Sequence, residues 1–221
     1  MKFFLDTADL DEIREAVSWG VIAGVTTNPT LFAKTGGKLA DFEGHIAKIC
    51  ELCPGLPVSA ESCAETAEGM IEDARRLAAI ADNVVIKLPV SPEGLAATHA
   101  LAQEGIAVNM TLVFTVPQAL LAARAGARYV SPFVGRFDDI AEDGVAQLVQ
   151  VCDAIHGYDF GHEVEIIGAS IRTAHHVTEA ALAGCDIATV PFNTLKKAVQ
   201  HPLTERGLAL FMEDWKKVEQ A

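Results

Sequence analysis

The sequence predicts an α/β fold, a (β/α)8 barrel formed by a single domain over residues 1–221. Short apolar, β-branched runs recur along the chain, and most are followed by an alanine-rich or amphipathic stretch with helical periodicity. Runs that are apolar on both faces are typical of parallel strands covered by helices. Eight such units favour a closed barrel over an open doubly wound sheet, for which the glycine-rich loop after the first strand is missing.

The predicted elements alternate from one end of the chain to the other. The strands are 3–5, 21–25, 56–60, 84–86, 106–108, 129–130, 164–167 and 187–190. The main helices are 9–18, 64–81, 92–103, 117–125, 140–156, 173–183 and 204–219. Gly105, Gly126 and Gly184 stand where helices should end. Residues 202–221 form an amphipathic stretch beyond the needs of the eighth unit, so we expect an additional C-terminal helix that packs on its own barrel or on a neighbour.

The composition excludes some classes of partner. The chain carries a net charge of −13 with its acids spread along the sequence, which argues against nucleic acid and acidic membranes as partners. A small phosphorylated substrate remains possible because a local pair of arginines can offset the overall sign. The N-terminus reaches Asp6 too soon for a signal peptide, and no apolar run is long enough to span a bilayer. We therefore expect a cytoplasmic protein.

The cysteines predict reduced thiols and no metal site. There are five, an odd number without a dense framework, as in intracellular proteins. Cys50 and Cys53 have a spacing that permits metal binding or redox chemistry, but no second pair completes a zinc site. His175 and His176 are adjacent and would point in different directions on a helix.

Lys87 is the most informative single residue. It ends the apolar run 84–86 and is the only lysine between Lys48 and Lys196. One interpretation is a strand-end lysine whose head reaches water. The other is a lysine that attacks a carbonyl to form a Schiff base, because burial beside apolar residues favours the neutral amine.

Polar residues follow most of the other predicted strands as well. Taken singly, each can be a helix cap, a turn residue or a member of an ion pair. In a barrel, the carboxyl ends of the strands meet at one mouth, where catalytic residues are found. Together these side chains would form a site for a polyhydroxylated carbonyl compound. They are Asp6, Asn28, Glu61, Asn109, Thr111, Ser131, Ser170 and Arg172.

Imine chemistry gives several of these residues a role. Glu61 with Thr111 would hold the water that is lost and regained when the imine forms and breaks. Asp6 would take a proton from a substrate hydroxyl during carbon–carbon bond cleavage. Arg136 and Arg172 have planar donor groups that suit a phosphate. For Arg136 the alternative is an ion pair with the nearby acids at 138 and 139.

Five motifs resemble those of the transaldolases, most closely the short transaldolase and fructose-6-phosphate aldolase subfamily. They are DTA at 6–8, GVTTNP at 24–29, IKLP at 86–89, SPFVGR at 131–136 and GASIR at 168–172. The resemblance runs from residue 2 to about residue 215. It implies a cofactor-free Schiff-base mechanism on a (β/α)8 barrel and a homodecamer in which the C-terminal helix contacts another subunit.

The resemblance also implies roles for individual residues. Lys87 would form the imine, Asp6 would be the acid and base for bond cleavage, and Glu61 and Thr111 would handle the catalytic water. The dihydroxyacetone portion of the substrate would bind to Asn28, Asn109 and Ser131, and the phosphate to Arg136, Ser170 and Arg172.

Glu61 and Phe133 favour transfer over release of the three-carbon unit. The fructose-6-phosphate aldolases resemble one another in having glutamine and tyrosine at these positions. The predicted function is a transaldolase of the pentose phosphate pathway that moves dihydroxyacetone from sedoheptulose 7-phosphate or fructose 6-phosphate to glyceraldehyde 3-phosphate or erythrose 4-phosphate. The alternatives are a fructose-6-phosphate aldolase and a non-catalytic barrel that binds sugar phosphates. The segment 191–193 receives no role beyond that of a helix start.

Overall fold

The computed structural model describes residues 1–220, and its strands form a closed parallel barrel in the order β1 to β8. The last strand pairs with the first, so the ring has no open edge. The predicted barrel is confirmed. Its strands are β1 (Lys2–Asp6), β2 (Ile22–Thr26), β3 (Val58–Glu61), β4 (Val84–Pro89), β5 (Val108–Val113), β6 (Tyr129–Pro132), β7 (Glu165–Gly168) and β8 (Ile187–Val190).

Helices follow the strands, and most of them cover the outside of the ring. They are α1 (Leu10–Ser18), α2 (Pro29–Lys34), α3 (Phe42–Leu52), α4 (Ala67–Ala78), α5 (Pro92–Gln103), α6 (Val116–Ala125), α7 (Gly135–Asp138), α8 (Gly144–His156), α9 (Ala174–Leu182), α10 (Phe192–Ala198) and α11 (Pro202–Glu219). A 3-10 turn, Leu39–Asp41, precedes α3.

Local sequence signals explain where many helices start and stop. Thr115 and Gln118 form a capping box at the start of α6, in which each side chain bonds the other residue's backbone N–H. The glycines expected at helix ends have left-handed backbones, with φ of 75° at Gly105, 105° at Gly126 and 76° at Gly184. These short, well-defined ends keep the loops compact.

Several predicted boundaries differ from those of the structure, and two of the differences have a clear local reason. β5 begins at Val108, because the Ile106 N–H still donates to the Leu101 carbonyl at the end of α5. The predicted helix 140–156 begins instead at Gly144, after Asp143 caps its first turn. The helices α2, α3, α7 and α10 were not among the predicted main helices, and residues 191–193 lie at the start of α10.

The core has two parts. Inside the half of the barrel at the amino ends of the strands, which we call the lower half, side chains from five strands pack together: Phe4, Val85, Tyr129, Ile167 and Ile187. A larger apolar layer fills the space between the strands and the surrounding helices. With its lower half filled, the barrel leaves room for a cavity only at its upper end.

The additional C-terminal helix, α11, is present and has no buried residue. Its apolar side chains are exposed, among them Leu203, Leu208, Phe211, Met212 and Trp215. Among residues 1–220, no helix combines the length and apolarity needed to cross a bilayer.

Candidate active site

A cavity of about 410 Å³ opens at the carboxyl ends of the strands, as expected for chemistry on such a barrel. All the candidate site residues predicted from the sequence line it, with the exception of Arg172. They are Asp6, Asn28, Glu61, Lys87, Asn109, Thr111, Ser131, Phe133, Arg136 and Ser170.

Strand register explains why three of these side chains lie in one row. Glu61 is the register partner of Lys87, and Lys87 is the partner of Asn109. Residues paired in register on neighbouring parallel strands point to the same face of the sheet. The alternation of side chains along each strand therefore places all three inside the barrel.

Lys87 is buried, and only 8% of its side chain is exposed. Its Nζ atom lies 3.0 Å from Glu61 Oε2 and donates a hydrogen bond of 3.2 Å to the Thr27 carbonyl. The interpretation of a strand-end lysine with its head in bulk water was therefore wrong. Glu61 is the nearest carboxylate to which the ammonium can pass a proton.

Asp6 lines the same cavity from β1. Its Oδ1 atom accepts a hydrogen bond of 2.8 Å from the Thr26 hydroxyl. Burial raises the pKa of Asp6 above its ordinary value, and the positive charge of Lys87 and the Thr26 hydrogen bond only partly oppose that rise. A carboxyl group with a raised pKa is suited to accept and return a proton during a reaction.

A chain of hydrogen bonds fixes the amide of Asn109. The Ser131 hydroxyl donates to Asn109 Oδ1 at 2.6 Å, and Asn109 Nδ2 donates to Ser59 Oγ at 3.1 Å. All three residues are buried. These bonds determine which end of the amide is the donor, so Asn109 presents a defined donor and acceptor pattern to a ligand.

Asn28 serves two purposes. Its Oδ1 atom caps α2 by accepting a bond of 2.9 Å from the Leu31 N–H, so the helix-cap interpretation is correct for this residue. Its Nδ2 group has no hydrogen-bond partner in the part of the chain that the structure describes, and the residue lines the cavity. Asp6, in contrast, is not a cap, because Asp9 caps α1.

Thr111 has a buried hydroxyl without a hydrogen-bond partner within residues 1–220. Buried hydroxyls are rarely left unpaired. Thr111 lines the cavity on the strand next to Lys87. A water molecule or a substrate hydroxyl in the cavity would satisfy it.

The two arginines are placed differently from each other. Arg136 lines the cavity. Arg172 does not line it and donates two hydrogen bonds of 2.5 and 2.7 Å to Asp139, and 41% of its side chain is exposed. The sequence offered Arg136 as the partner of the acids at 138 and 139. In the structure it is Arg172 that forms the ion pair with Asp139.

Two cavity residues have an unusual backbone. Leu112 and Ser170 are non-glycine residues with φ of 58° and 57°. The left-handed region costs an L-residue about 1–2 kcal/mol. Such conformations persist where the surrounding structure enforces them, and they concentrate at functional sites.

The chain matches the family model described as Transaldolase/Fructose-6-phosphate aldolase over residues 3–221. The chain belongs to this family. A probable transaldolase of Thermus thermophilus is 54% identical over 225 residues, which cover 99% of this chain and 100% of that protein. A probable transaldolase of Halalkalibacterium halodurans is 53% identical over 215 residues, covering 97% of this chain and 99% of that protein.

The predicted family and enzyme class are thus confirmed: this is an enzyme of the transaldolase type. Among solved structures, a thiamine phosphate pyrophosphorylase from Pyrococcus furiosus has a TM-score of 0.58 and 14% sequence identity, covering 86% of this chain and 85% of that one. That likeness concerns the fold alone.

In this transaldolase-family enzyme, eight further residues line the cavity, and three polar ones among them illustrate what the sequence does and does not signal. Thr26 and Thr189 lie at the ends of β2 and β8, and Lys34 ends α2. Thr26 was part of a recognised motif and follows an apolar run, which was a usable signal. Thr189 lies within the run Ile187–Val190, where threonine is an ordinary strand residue, so nothing in the sequence marked it.

The cysteines lie away from the cavity of the transaldolase-family enzyme. Cys50 and Cys53 are buried at the end of α3, and burial raises the pKa of each thiol to about 11. Thiols with such values remain protonated at neutral pH and are poor nucleophiles. Within residues 1–220, no group of three or more His, Cys, Asp or Glu side chains is arranged to hold a metal ion.

Proposed function

We propose that this enzyme is a transaldolase that transfers a dihydroxyacetone unit by a Schiff-base mechanism, with sedoheptulose 7-phosphate or fructose 6-phosphate as donor. One observation carries the proposal: a buried lysine, Lys87, lies beside a carboxylate, Glu61, in a cavity that a second carboxyl group, Asp6, also lines. The acceptors are glyceraldehyde 3-phosphate and erythrose 4-phosphate, as in the pentose phosphate pathway.

Imine formation uses Lys87, Glu61 and Thr111. Glu61, 3.0 Å from Nζ, accepts a proton from the ammonium, and the neutral amine then attacks the C2 carbonyl of the ketose. The carbinolamine loses its oxygen as water after protonation by Glu61. The unpaired Thr111 hydroxyl supports a role in binding that water.

Carbon–carbon bond cleavage uses Asp6. The carboxylate takes the proton of the C4 hydroxyl, and the C3–C4 bond breaks. The electron pair of that bond moves to the protonated imine and gives an enamine. The first product leaves as an aldehyde. In the reverse direction, the enamine attacks the acceptor aldehyde, and Asp6 returns the proton to the new hydroxyl. A raised pKa supports both halves of this exchange.

Substrate binding divides into two ends. We assign the hydroxyls of the three-carbon unit to Asn28, Asn109 and Ser131, supported by the ordered amide of Asn109 and the unpaired amide Nδ2 of Asn28 within residues 1–220. Arg136 and Ser170 bind the phosphate. Arg172 joins them only after it releases Asp139.

Transfer rather than release follows from the groups near the enamine. Phe133 lines the cavity and packs against Phe114 with ring centroids 5.6 Å apart, so it presents a hydrocarbon ring where a phenol would supply a proton donor. Slower protonation of the enamine leaves it available to an acceptor aldehyde. The second candidate, a fructose-6-phosphate aldolase, would release free dihydroxyacetone.

Borohydride reduction in the presence of fructose 6-phosphate tests the mechanism. We expect intact mass to rise by one reduced ketose adduct in the wild type, and no adduct with Lys87→Ala. Lys34→Ala is the matched control, because Lys34 also lines the cavity but is exposed. The proposal is wrong if the wild type gains no mass, or if Lys87→Ala still gains it.

A steady-state assay separates transfer from release. Net consumption of fructose 6-phosphate should require erythrose 4-phosphate, because transfer to glyceraldehyde 3-phosphate only regenerates fructose 6-phosphate. Equal rates with and without the acceptor would favour the aldolase instead. The double variant Glu61→Gln with Phe133→Tyr should increase the fraction of turnovers that release dihydroxyacetone.

We also propose that the enzyme is a homo-oligomer, a homodecamer in the arrangement that the resemblance implies, and that it acts in the cytoplasm. The exposed apolar side chains of α11 support an assembly in which this helix packs on another subunit. Five unpaired cysteines support a reducing compartment.

A further inference from the structure

Two buried threonine hydroxyls form a chain behind Asp6. Thr26 Oγ1 lies 2.8 Å from Asp6 Oδ1 and 2.6 Å from Thr189 Oγ1. Thr26 and Thr189 are 2% and 3% exposed. They come from β2 and β8, the two strands that flank β1 in the closed barrel. The chain therefore joins both neighbours of the strand that carries Asp6.

The number of hydrogens fixes the direction of this chain. A hydroxyl has one hydrogen to donate, and an ionised carboxylate only accepts. When Asp6 is ionised, Thr26 donates to it, so the hydrogen between the two threonines must come from Thr189. When Asp6 is protonated, the order can reverse, with Asp6 donating to Thr26 and Thr26 donating to Thr189. Each protonation state thus has an arrangement in which the Thr26 hydroxyl both donates and accepts a hydrogen bond.

The reaction requires both arrangements. This inference rests on the proposed function, in which Asp6 takes a proton during cleavage and returns it during condensation in every turnover. A buried hydroxyl that loses its partner in one of the two states destabilises that state. Thr189 can supply the hydrogen in one state and accept it in the other.

We propose that Thr189 is a positioning residue that acts on Asp6 through Thr26, keeping the Thr26 hydroxyl paired in both protonation states of the carboxyl group. Thr189 lines the cavity without an ionisable group, and its hydroxyl lies in hydrogen-bond contact with Thr26. Its effect on the acid and base is therefore indirect.

The charged groups around Asp6 also influence its pKa. Burial raises the pKa of Asp6 most, the charges of Lys87 and Lys34 lower it, and the charge of Glu61 raises it. Asp9 and Glu12 line a neighbouring pocket that Asp6 also lines. None of these groups is altered by a substitution at Thr189, so a change in the titration of Asp6 reports on the hydroxyl chain.

Thr189→Val and Thr189→Ser form a matched pair of variants. Valine keeps the branched shape and removes the hydroxyl, whereas serine keeps the hydroxyl. With Thr189→Val we expect kcat to fall severalfold while KM and the yield of borohydride-trapped imine stay the same. The acid limb of the kcat profile should move up by about 0.5 pH unit, because the carboxylate loses the polarising effect of the second hydroxyl. Thr189→Ser should restore both values.

A double-mutant cycle tests whether Thr189 acts through Thr26. On a Thr26→Val background, Thr189→Val should cause no further loss of kcat, because the chain is already broken. Multiplicative losses would overturn the proposal, as would a wild-type profile for Thr189→Val or a failure of Thr189→Ser to restore activity.

A measurement without substrate separates this proposal from the proposed function. The Asp6 carboxyl carbon can be titrated by NMR in the free protein labelled with 13C-aspartate and assigned with Asp6→Asn. A higher midpoint in Thr189→Val than in the wild type supports the hydroxyl chain even if no ketose adduct forms on Lys87. An unchanged midpoint overturns it even if the enzyme proves to be a transaldolase.

Discussion

Substituting Gly135 with alanine should disturb the phosphate end of the site. The Gly135 N–H donates a hydrogen bond of 3.1 Å to the Ser170 carbonyl and so joins the chain after β6 to the chain after β7. An added Cβ would overlap the Ser170 carbonyl oxygen and lie 2.7 Å from Arg172 Nε. The first of these atoms belongs to the backbone and cannot rotate away.

The distances indicate the size of the effect. Close contacts between carbon and a carbonyl oxygen lie at about 3.3–3.6 Å, so the two segments would have to separate by roughly 1 Å. Overpacking of this kind costs about 1–3 kcal/mol of stability. A misplacement of about 1 Å can lower a rate by about 10²-fold. Because Arg136 and Ser170 lie on the two displaced segments, Gly135→Ala should weaken the binding of phosphorylated substrates in particular.

Gly44→Ala is the matched control. Gly44 lies within α3, and a Cβ there meets no atom within 4 Å. Alanine should stabilise this helix by about 0.5–1 kcal/mol relative to glycine. The control thus makes the same substitution, glycine to alanine, but should increase stability instead of lowering it. It should have no effect on substrate binding.

Two assays check the reasoning on Gly135. Urea unfolding measures the stability of the wild type and both alanine variants. Borohydride trapping on Lys87 compares fructose 6-phosphate with dihydroxyacetone, which lacks a phosphate. We expect Gly135→Ala to need at least tenfold more fructose 6-phosphate for half-maximal trapping and an unchanged amount of dihydroxyacetone. Wild-type trapping of both compounds, or an equal loss for both, would refute the assignment of this end of the cavity to phosphate.

Three further predictions follow from burial and exposure. Asp6→Asn should be inactive yet more stable than the wild type at neutral pH, because the raised pKa of Asp6 means that its charged form destabilises the fold. In thermal melts the difference should shrink as the pH falls and vanish at about pH 3, below the unfolded pKa of about 3.9, where the carboxyl group is neutral in both states. Deletion of 202–221 should leave the barrel's circular dichroism and melting intact, since α11 buries none of its side chains within the chain. The native mass measured by light scattering should fall to that of a monomer. An unchanged assembly would show that α11 is not the contact between subunits. Iodoacetamide should modify Cys63 first in the native protein, because the other four cysteines are buried, and Cys63→Ser should abolish the rapid mass gain.

The barrel was predictable because each unit repeats the same local signals. Apolar runs, helix caps and left-handed glycines such as Gly126 all act within about twenty residues of sequence. The polar strand ends were predictable for the same reason, since the alternation of strands and helices brings all carboxyl ends to one mouth. That residues 1–221 form one domain stays a prediction, which the pairing of β1 with β8 supports.

What the sequence could not predict depends on contacts between distant units. Arg172 was placed in the phosphate site, yet its side chain reaches Asp139 on another loop. The start of β5 depended on a single backbone hydrogen bond at Ile106. Thr189 gained its position only from the closure of the ring, because its hydroxyl partner is 163 residues away in sequence. Local sequence patterns do not reveal contacts made by long side chains or by residues far apart in the sequence.

Closure of the ring also governs when the enzyme can first become active. β1 contains Asp6 and is synthesised first, but β8, which flanks it, begins only at Ile187. At translation rates of about 5–20 residues per second, β1 waits roughly ten to forty seconds for that neighbour. A fragment that ends before β8 therefore lacks part of the site. The site is complete only once β8 has been made, and loss of β8 would remove both Thr189 and the second neighbour of the strand that carries Asp6.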